Sequence, residues 1–278
     1  MRIFETINEM RKWRLEQNCQ VALVPTMGYL HDGHLSLIKK AKELCSICIV
    51  SIFVNPTQFA VHEDLDKYPR NLEKDIELLN SIGADALFCP SVQEMYQDSF
   101  DTWVDVGHMS TLLEGKARPV HFKGVATVVN KLLNIVTPNV VIFGQKDAQQ
   151  AAIIRKMIND LNINVRMEVC PTVRLASGLA QSSRNAYLSE SELKAASCIY
   201  NSLILAQKLF ESGKRDSTSL KDAVRQMINC EKLALLEYVS IASLEDLSEL
   251  NEIENEALLS LAVKIGQVRL IDNLILSV

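Results

Sequence analysis

Two histidines three residues apart, His31 and His34, stand in the stretch VALVPTMGYLHDGH at 21–34, after four apolar residues in a row and just before the amphipathic run LSLIKKAKEL. Read as buried strand, loop and helix, this stretch puts both imidazoles at a helix N-terminus. The first amide hydrogens there lack internal partners and the dipole is positive, so phosphates bind readily. Gly33 has no side chain to hold a phosphate away from the backbone, and the three-residue spacing turns both rings to one side. Farther along stand Lys146 beside Asp147 and the run Ser182-Ser183-Arg184, which add cations and hydroxyl donors. Phosphoryl or nucleotidyl transfer needs such a set, because its transition state spreads charge over phosphate oxygens and the protein works by positioning and charge stabilisation. The sequence has neither a Walker P-loop nor G-x-G-x-x-G, so the phosphates fall to the H-x-G-H loop and to the Lys and Arg. Asp147 is expected to hold the magnesium that a nucleoside triphosphate brings. Gln58 and Gln150 are neutral donors and acceptors suited to a small polar substrate.

Rigid elements must stand behind these groups. ICIVSIFV at 47–54 reads as a second buried strand and ends in Asn55, Pro56, Thr57, Gln58 and Phe59. A helix is expected over 71–82, a strand at 86–90, and a less regular region through Trp103. Then come a helix at 123–136, the strand VVIFG at 140–144, a helix at 147–161 and a strand at 163–169. Strands that alternate with helices imply parallel pairing with helices on both faces, and ligands bind outside the carboxyl ends of such strands. Every candidate group falls at such an end. Thr26, Met27, His31 and His34 follow the first strand, and Asn55 and Gln58 the second. Gly144, Lys146, Asp147 and Gln150 follow VVIFG, and Val173 with the run 178–185 follows the last, so a shared pocket is expected.

From Ser189 the texture changes. A long helical pattern opens with the capping-box spacing Ser189-x-x-Glu192, a second helix spans about 220–228, and β-rich runs flank Gly266-Gln267 as a hairpin. The expected fold is therefore α/β: a Rossmann-like parallel-sheet domain over 1–174 and a smaller C-terminal α+β lid over 175–278.

With 48% apolar residues, the 278-residue chain can bury two cores. A formal charge of −5 argues against a protein that grips nucleic acid through a broad basic surface. No apolar run approaches the roughly 20 residues needed to span a bilayer, and MRIFETINEMRKW carries charges where a signal peptide has its apolar core. A soluble cytoplasmic protein without membrane partners is expected. Seven scattered cysteines fit buried thiols in a reducing compartment, and Cys45-x-x-Cys48 reads as packing, because no second pair follows at zinc-site spacing.

PTMGYLHDGH at 25–34, SIFVNPTQF at 51–59, HFKGVATVV at 121–129, FGQKDAQQ at 143–150 and SSRNAYLS at 182–189 together resemble the pantothenate synthetase family, and RLIDN at 269–273 extends the likeness to the end of the chain. H-x-G-H alone marks only a wider superfamily of nucleotidyltransferases. The resemblance implies that ATP and pantoate form an enzyme-bound pantoyl adenylate and pyrophosphate, after which β-alanine displaces AMP. It implies that His31 and His34 stabilise the transferring phosphate, with Lys146, Ser182, Ser183 and Arg184 on the phosphates. Met27, Gly144, Asp147 and Val173 complete the ATP set, Gln58 and Gln150 hold pantoate, Asn55 and Gln58 hold β-alanine, and Asp147 binds Mg2+. Arg118 and His121 match positions near the active site, and a homodimer is the implied assembly. Three positions depart from the family pattern: Gln145 replaces a Glu, Ser177 an Asp and Gln181 a Met. Two further readings are a nucleotidyltransferase that moves AMP onto a phosphorylated cofactor precursor and a non-catalytic nucleotide-binding regulator.

Overall fold

The computed structural model describes residues 1–60, 63 and 65–278. The chain divides into two compact units, Met1–Gly144 with Ile153–Cys170, and Gln145–Ala152 with Pro171–Val278.

The first unit is built on a six-stranded sheet in which every pair is parallel. Its strands are β1 (Arg2–Phe4), β2 (Val21–Thr26), β3 (Ile47–Ile52), β4 (Ala86–Phe88), β5 (Val140–Gly144) and β6 (Arg166–Cys170), in the order β1-β4-β3-β2-β5-β6. The order runs outward from β2 in both directions, which makes the neighbourhood of β2 and β5 the switch point where such sheets take ligands. The helices are α1 (Ile7–Leu15), α2 (Asp32–Leu44), α3 (Leu72–Ile82), α4 (Val92–Met95), α5 (Glu114–Ala117), α6 (His121–Val136) and, from Ile153 onward, α7 (Ala148–Asp160).

Strand side chains alternate between two cores, as a period of two requires. Val21, Leu23, Ile49, Val141 and Phe143 pack with Met10 and Trp13 of α1 and Val125, Val129 and Leu132 of α6. Ala22, Val24, Cys48, Val50 and Ile142 pack on the other face with Leu37, Ile38 and Ala41 of α2 and Leu79 of α3. Both faces are covered, which is why the strands read as unbroken apolar runs. Cys45 and Cys48 lie inside this packing, and burial pushes the Cys48 thiol up to about 12, so the C-x-x-C holds no reactive thiolate at neutral pH.

The second unit contains α8 (Glu190–Ala195), α9 (Ser197–Glu211), α10 (Ser217–Asn229) and the antiparallel strands β7 (Ala234–Ala242), β8 (Glu256–Ile265) and β9 (Val268–Ser277). One face of the sheet buries Ile241, Leu259, Leu261 and Leu270 against Ile199, Leu203, Leu220 and Val224 of the helices. Gly266-Gln267 forms the two-residue hairpin loop, with Gly266 at φ 57°.

Three local expectations change. β1 and α1 add to the elements expected from periodicity, and Thr6 and Glu9 make a full capping box at the start of α1. The long helical pattern after Ser189 is two helices with a joint at Ala196. α10 begins at Ser217, because Asp216 caps it by accepting from the Ser219 N–H at 2.7 Å.

Candidate active site

The loop that leaves β2 is tightly specified. Thr26 Oγ1 donates to the Ser51 carbonyl at 2.8 Å and accepts from the Gly28 N–H at 3.2 Å. Gly28 and Tyr29 both take positive φ, 82° and 51°. A Cβ on Gly28 would lie 3.0 Å from Ile52 and 3.1 Å from Asp75, so glycine is required there on two counts. Asp75 of α3 is 2% exposed, and its carboxylate accepts from the Tyr29 N–H at 2.8 Å and the Leu30 N–H at 2.7 Å. These two bonds hold the backbone immediately before His31.

His31 is the N-cap of α2. Its Nδ1 accepts from the Gly33 N–H at 3.2 Å, and His34 Nδ1 accepts from the His31 N–H at 3.4 Å, a capping box made of imidazoles. An Nδ1 that accepts from a backbone amide carries no proton, so each neutral ring carries its proton on Nε2. The rings lie 4.1 Å apart, centroid to centroid. Two imidazole rings, each with its Nδ1 tied to the backbone, thus stand side by side at this helix end.

The second loop joins the first. Asn55 caps the short turn Pro56–Gln58 and is 1% exposed. Its Nδ2 donates to Gln58 Oε1 and to the Gly124 carbonyl, each at 3.1 Å, while Oδ1 accepts from Thr57. Both Asn55 amide hydrogens are therefore engaged, and the side chain acts through Gln58. Gln58 Nε2 in turn donates to Met27 Sδ at 3.2 Å, tying the turn to the loop after β2. A Cβ on Gly124 would lie 2.5 Å from the Thr57 carbonyl, so glycine lets α6 pack directly on this turn.

Arg118 and His121 stand behind Gln58. His121 Nδ1 donates to the Gln58 carbonyl at 2.9 Å, and its Nε2 accepts from Arg118 at 3.2 Å. Arg118 forks onto Glu63 at 2.5 and 2.6 Å. Burial, then the Arg118 charge, pushes His121 from 6.5 down to about 4, so the ring is neutral at neutral pH. Burial alone would raise the Glu63 carboxyl, but hydrogen bonding and charge from Arg118 outweigh it and hold it below the usual range.

In the second unit, the turn Gln145–Asp147 leads into α7. Lys146 Nζ donates to Asp147 Oδ1 at 3.2 Å, and Gln150 lies in the first turn of α7, half-buried. Gly144 closes β5 in the first unit, where, among the described residues, a Cβ would meet Leu37 alone, at 3.9 Å. Val173 accepts from the Gln181 N–H at 2.9 Å at the base of a turn whose tip is Gly178, φ 87°. Ser182 caps the short helix Ser183–Tyr187 by accepting from the Arg184 N–H at 3.3 Å. Ser183 is buried and Arg184 half-buried.

Asp147, the expected magnesium ligand, belongs to no cluster: among the described residues, no three His, Cys, Asp or Glu side chains could hold a metal together. A single half-exposed carboxylate beside a lysine suits Mg2+ that arrives already bound to phosphate oxygens, which needs only one or two protein ligands.

The model of the pantoate-beta-alanine ligase family matches residues 2–275 of this chain. The chain belongs to this family. The ligase is similar to the pantothenate synthetase of Roseiflexus castenholzii, 52% identical over 99% of both chains, and to that of Carboxydothermus hydrogenoformans, 49% identical over the full length of both. Among solved structures, it matches pantothenate synthetase from Thermus thermophilus with a TM-score of 0.95, 40% identity and 99% of each chain covered. It also matches the Francisella tularensis pantoate-beta-alanine ligase complexed with beta-gamma ATP and beta-alanine: TM-score 0.81, 38% identity, covering 99% of this chain and 97% of that one.

Sequence reasoning missed Asp75, Glu63 and Gly124 as supports of the loops that carry His31 and Gln58. Asp75 had a signal, since it is a charge on the apolar stripe of a helix with Leu72, Ile76 and Leu79. Glu63 had none. Among the described residues, no helix is long and apolar enough to cross a membrane.

Proposed function

We propose that the chain joins pantoate to β-alanine in two steps through pantoyl adenylate, and that the loop-to-helix junction at His31 and His34 is where the first step is stabilised. A carboxylate oxygen of pantoate attacks the α-phosphorus of ATP, the bond from that phosphorus to the bridging oxygen breaks, and pyrophosphate leaves. The amine of β-alanine then attacks the acyl carbon, the acyl–oxygen bond breaks, and AMP departs as the new amide nitrogen loses a proton.

The observation that supports this reading is the paired imidazole cap. Negative charge grows on the non-bridging oxygens in the first step, and two imidazole Nε2–H groups set at a positive helix end are placed to meet it. Lys146, Ser182, Ser183 and Arg184 take the phosphates. Met27, Gly144, Asp147 and Val173 complete the ATP contacts. Asp147 would hold Mg2+, which when bound neutralises phosphate charge. Gln58 and Gln150 hold pantoate. Gln58, oriented by Asn55, serves the β-alanine side, and neutral His121 fixes the Gln58 backbone without adding a cation there. A reducing cytoplasmic setting accords with seven unpaired cysteines. A homodimer would sediment at about twice the 31.1 kDa of the chain.

The test is exchange of labelled pyrophosphate into ATP without β-alanine. Pantoate-dependent exchange is expected, and its absence from folded, magnesium-supplied protein would defeat the adenylate route. Exchange that requires a phosphorylated acceptor instead would favour the nucleotidyltransferase reading.

A further inference from the structure

The side chain of Asn273 in β9 is 3% exposed and reaches 128 residues back along the chain. Its Nδ2 donates to the Gln145 carbonyl at 3.0 Å and to the Lys146 carbonyl at 2.9 Å. Those carbonyls belong to the two peptide planes on either side of the Lys146 Cα. The angle between the two planes is the backbone conformation of Lys146 itself, so one NH2 group sets φ and ψ together and with them the direction in which the lysine leaves the backbone.

The clamp is itself held. Gln145 Nε2 donates to Asn273 Oδ1 at 3.0 Å, which fixes which end of the amide faces the carbonyls. The Asn273 N–H donates to Asp272 Oδ1 at 2.8 Å. Asp272 is 2% exposed and takes both arms of Arg174, at 2.5 and 2.9 Å, while Arg174 also donates to the Gly178 carbonyl and stacks 4.1 Å over the Tyr200 ring. A glutamate carboxylate at 145 could not donate to Oδ1.

We propose that Asn273 is a positioning residue for Lys146, acting through the two peptide carbonyls and kept in register by Gln145 and by the Asp272–Arg174 pair. This rests on the reading that Lys146 meets the phosphates of ATP. Misplacing such a cation by about 1 Å is enough to cost on the order of a hundredfold in rate.

The experiment measures pantoate-dependent pyrophosphate exchange in Asn273→Asp, Gln145→Met, Lys146→Ala and the double variant Asn273→Asp with Lys146→Ala. The carboxylate that Asn273→Asp introduces is nearly isosteric with the amide and still accepts from Gln145, but it donates to neither carbonyl. Asn273→Asp is expected to lower kcat/KM for ATP by about tenfold to a hundredfold, leave the KM for pantoate unchanged, and add less than about twofold in the Lys146→Ala background. Gln145→Met, which removes only the donor that orients Asn273, should move kcat/KM in the same direction by a few fold, and it decides the matter if Asn273→Asp does not fold. Wild-type exchange in folded Asn273→Asp overturns the proposal, as does an undiminished loss in the Lys146→Ala background, or wild-type exchange in Gln145→Met when Asn273→Asp is unfolded. Lys146→Ala alone separates the two layers: wild-type exchange there removes lysine from the chemistry, and this inference with it. Crippled Lys146→Ala beside unimpaired Asn273→Asp removes the inference alone.

Discussion

Replacing Asp75 with alanine removes the acceptor of two peptide N–H groups, from Tyr29 and Leu30, in a place where the carboxylate is 2% exposed and water cannot take over. Each bond to a charged acceptor contributes about 1.5–3 kcal/mol, and each donor left buried and unmade costs about 1–3 kcal/mol, two views of the same loss. The loop also holds Tyr29 at φ 51°, a left-handed conformation that costs a non-glycine residue about 1–2 kcal/mol and is maintained only by its surroundings. Allowing for partial relaxation, Asp75→Ala should destabilise the protein by about 2–4 kcal/mol, lowering the urea midpoint while leaving it folded in water. Asp75→Asn should cost about half as much, since its Oδ1 still accepts one N–H while Nδ2 opposes the other. Because His31 follows Leu30 directly, adenylation should fall by about tenfold or more in both variants. An unfolding free energy for Asp75→Ala within about 0.5 kcal/mol of wild type, or unaltered adenylation in it, would refute this account of the loop.

Three further outcomes follow from the same structure. The depressed His121 means that the unfolded chain binds a proton between pH 6.5 and about 4 that the folded chain does not, so stability is full above 6.5 and is lost as pH falls toward 4. Over that window the loss is about 3 kcal/mol; urea melts should show it, and His121→Gln should flatten the slope. His34→Ala should stay folded, losing only about 1 kcal/mol with the acceptor of the His31 N–H, yet lower the adenylation rate by roughly a hundredfold or more, the effect of losing one preorganised donor; full adenylation would remove His34 from the mechanism. Gln150→Ala should raise the KM for pantoate and leave that for ATP near wild type, and an equal rise in both would put Gln150 on the wrong ligand.

The parallel sheet was legible because β2, β3 and β5 are covered on both faces and so read as unbroken apolar runs, and because Gly and Pro punctuate their ends. The histidine cap was legible for a similar reason: H-x-G-H sits where periodicity two gives way to periodicity 3.6. What could not be read is whatever depends on partners distant in sequence. Asp75 reaches back 45 and 46 residues to its two amides, and Asn273 reaches back 127 and 128 to its two carbonyls. Neither bond leaves a mark on local pattern beyond a polar residue in an apolar stretch. Asn55 shows the converse, since its motif marked it plainly, yet the structure commits both of its amide hydrogens to Gln58 and Gly124. The β1 strand escaped notice because three residues carry no periodicity.

The central claim is that the pantoate carboxylate attacks the α-phosphorus, and the fate of the carboxylate oxygens tests it most directly. Pantoate labelled with 18O in both carboxylate oxygens is turned over with ATP, magnesium and β-alanine, and the products are weighed by mass spectrometry. The adenylate route predicts one labelled oxygen in AMP and one in the amide carbonyl of pantothenate, with pyrophosphate unlabelled. AMP without label, or label in a phosphate or pyrophosphate product, would contradict it.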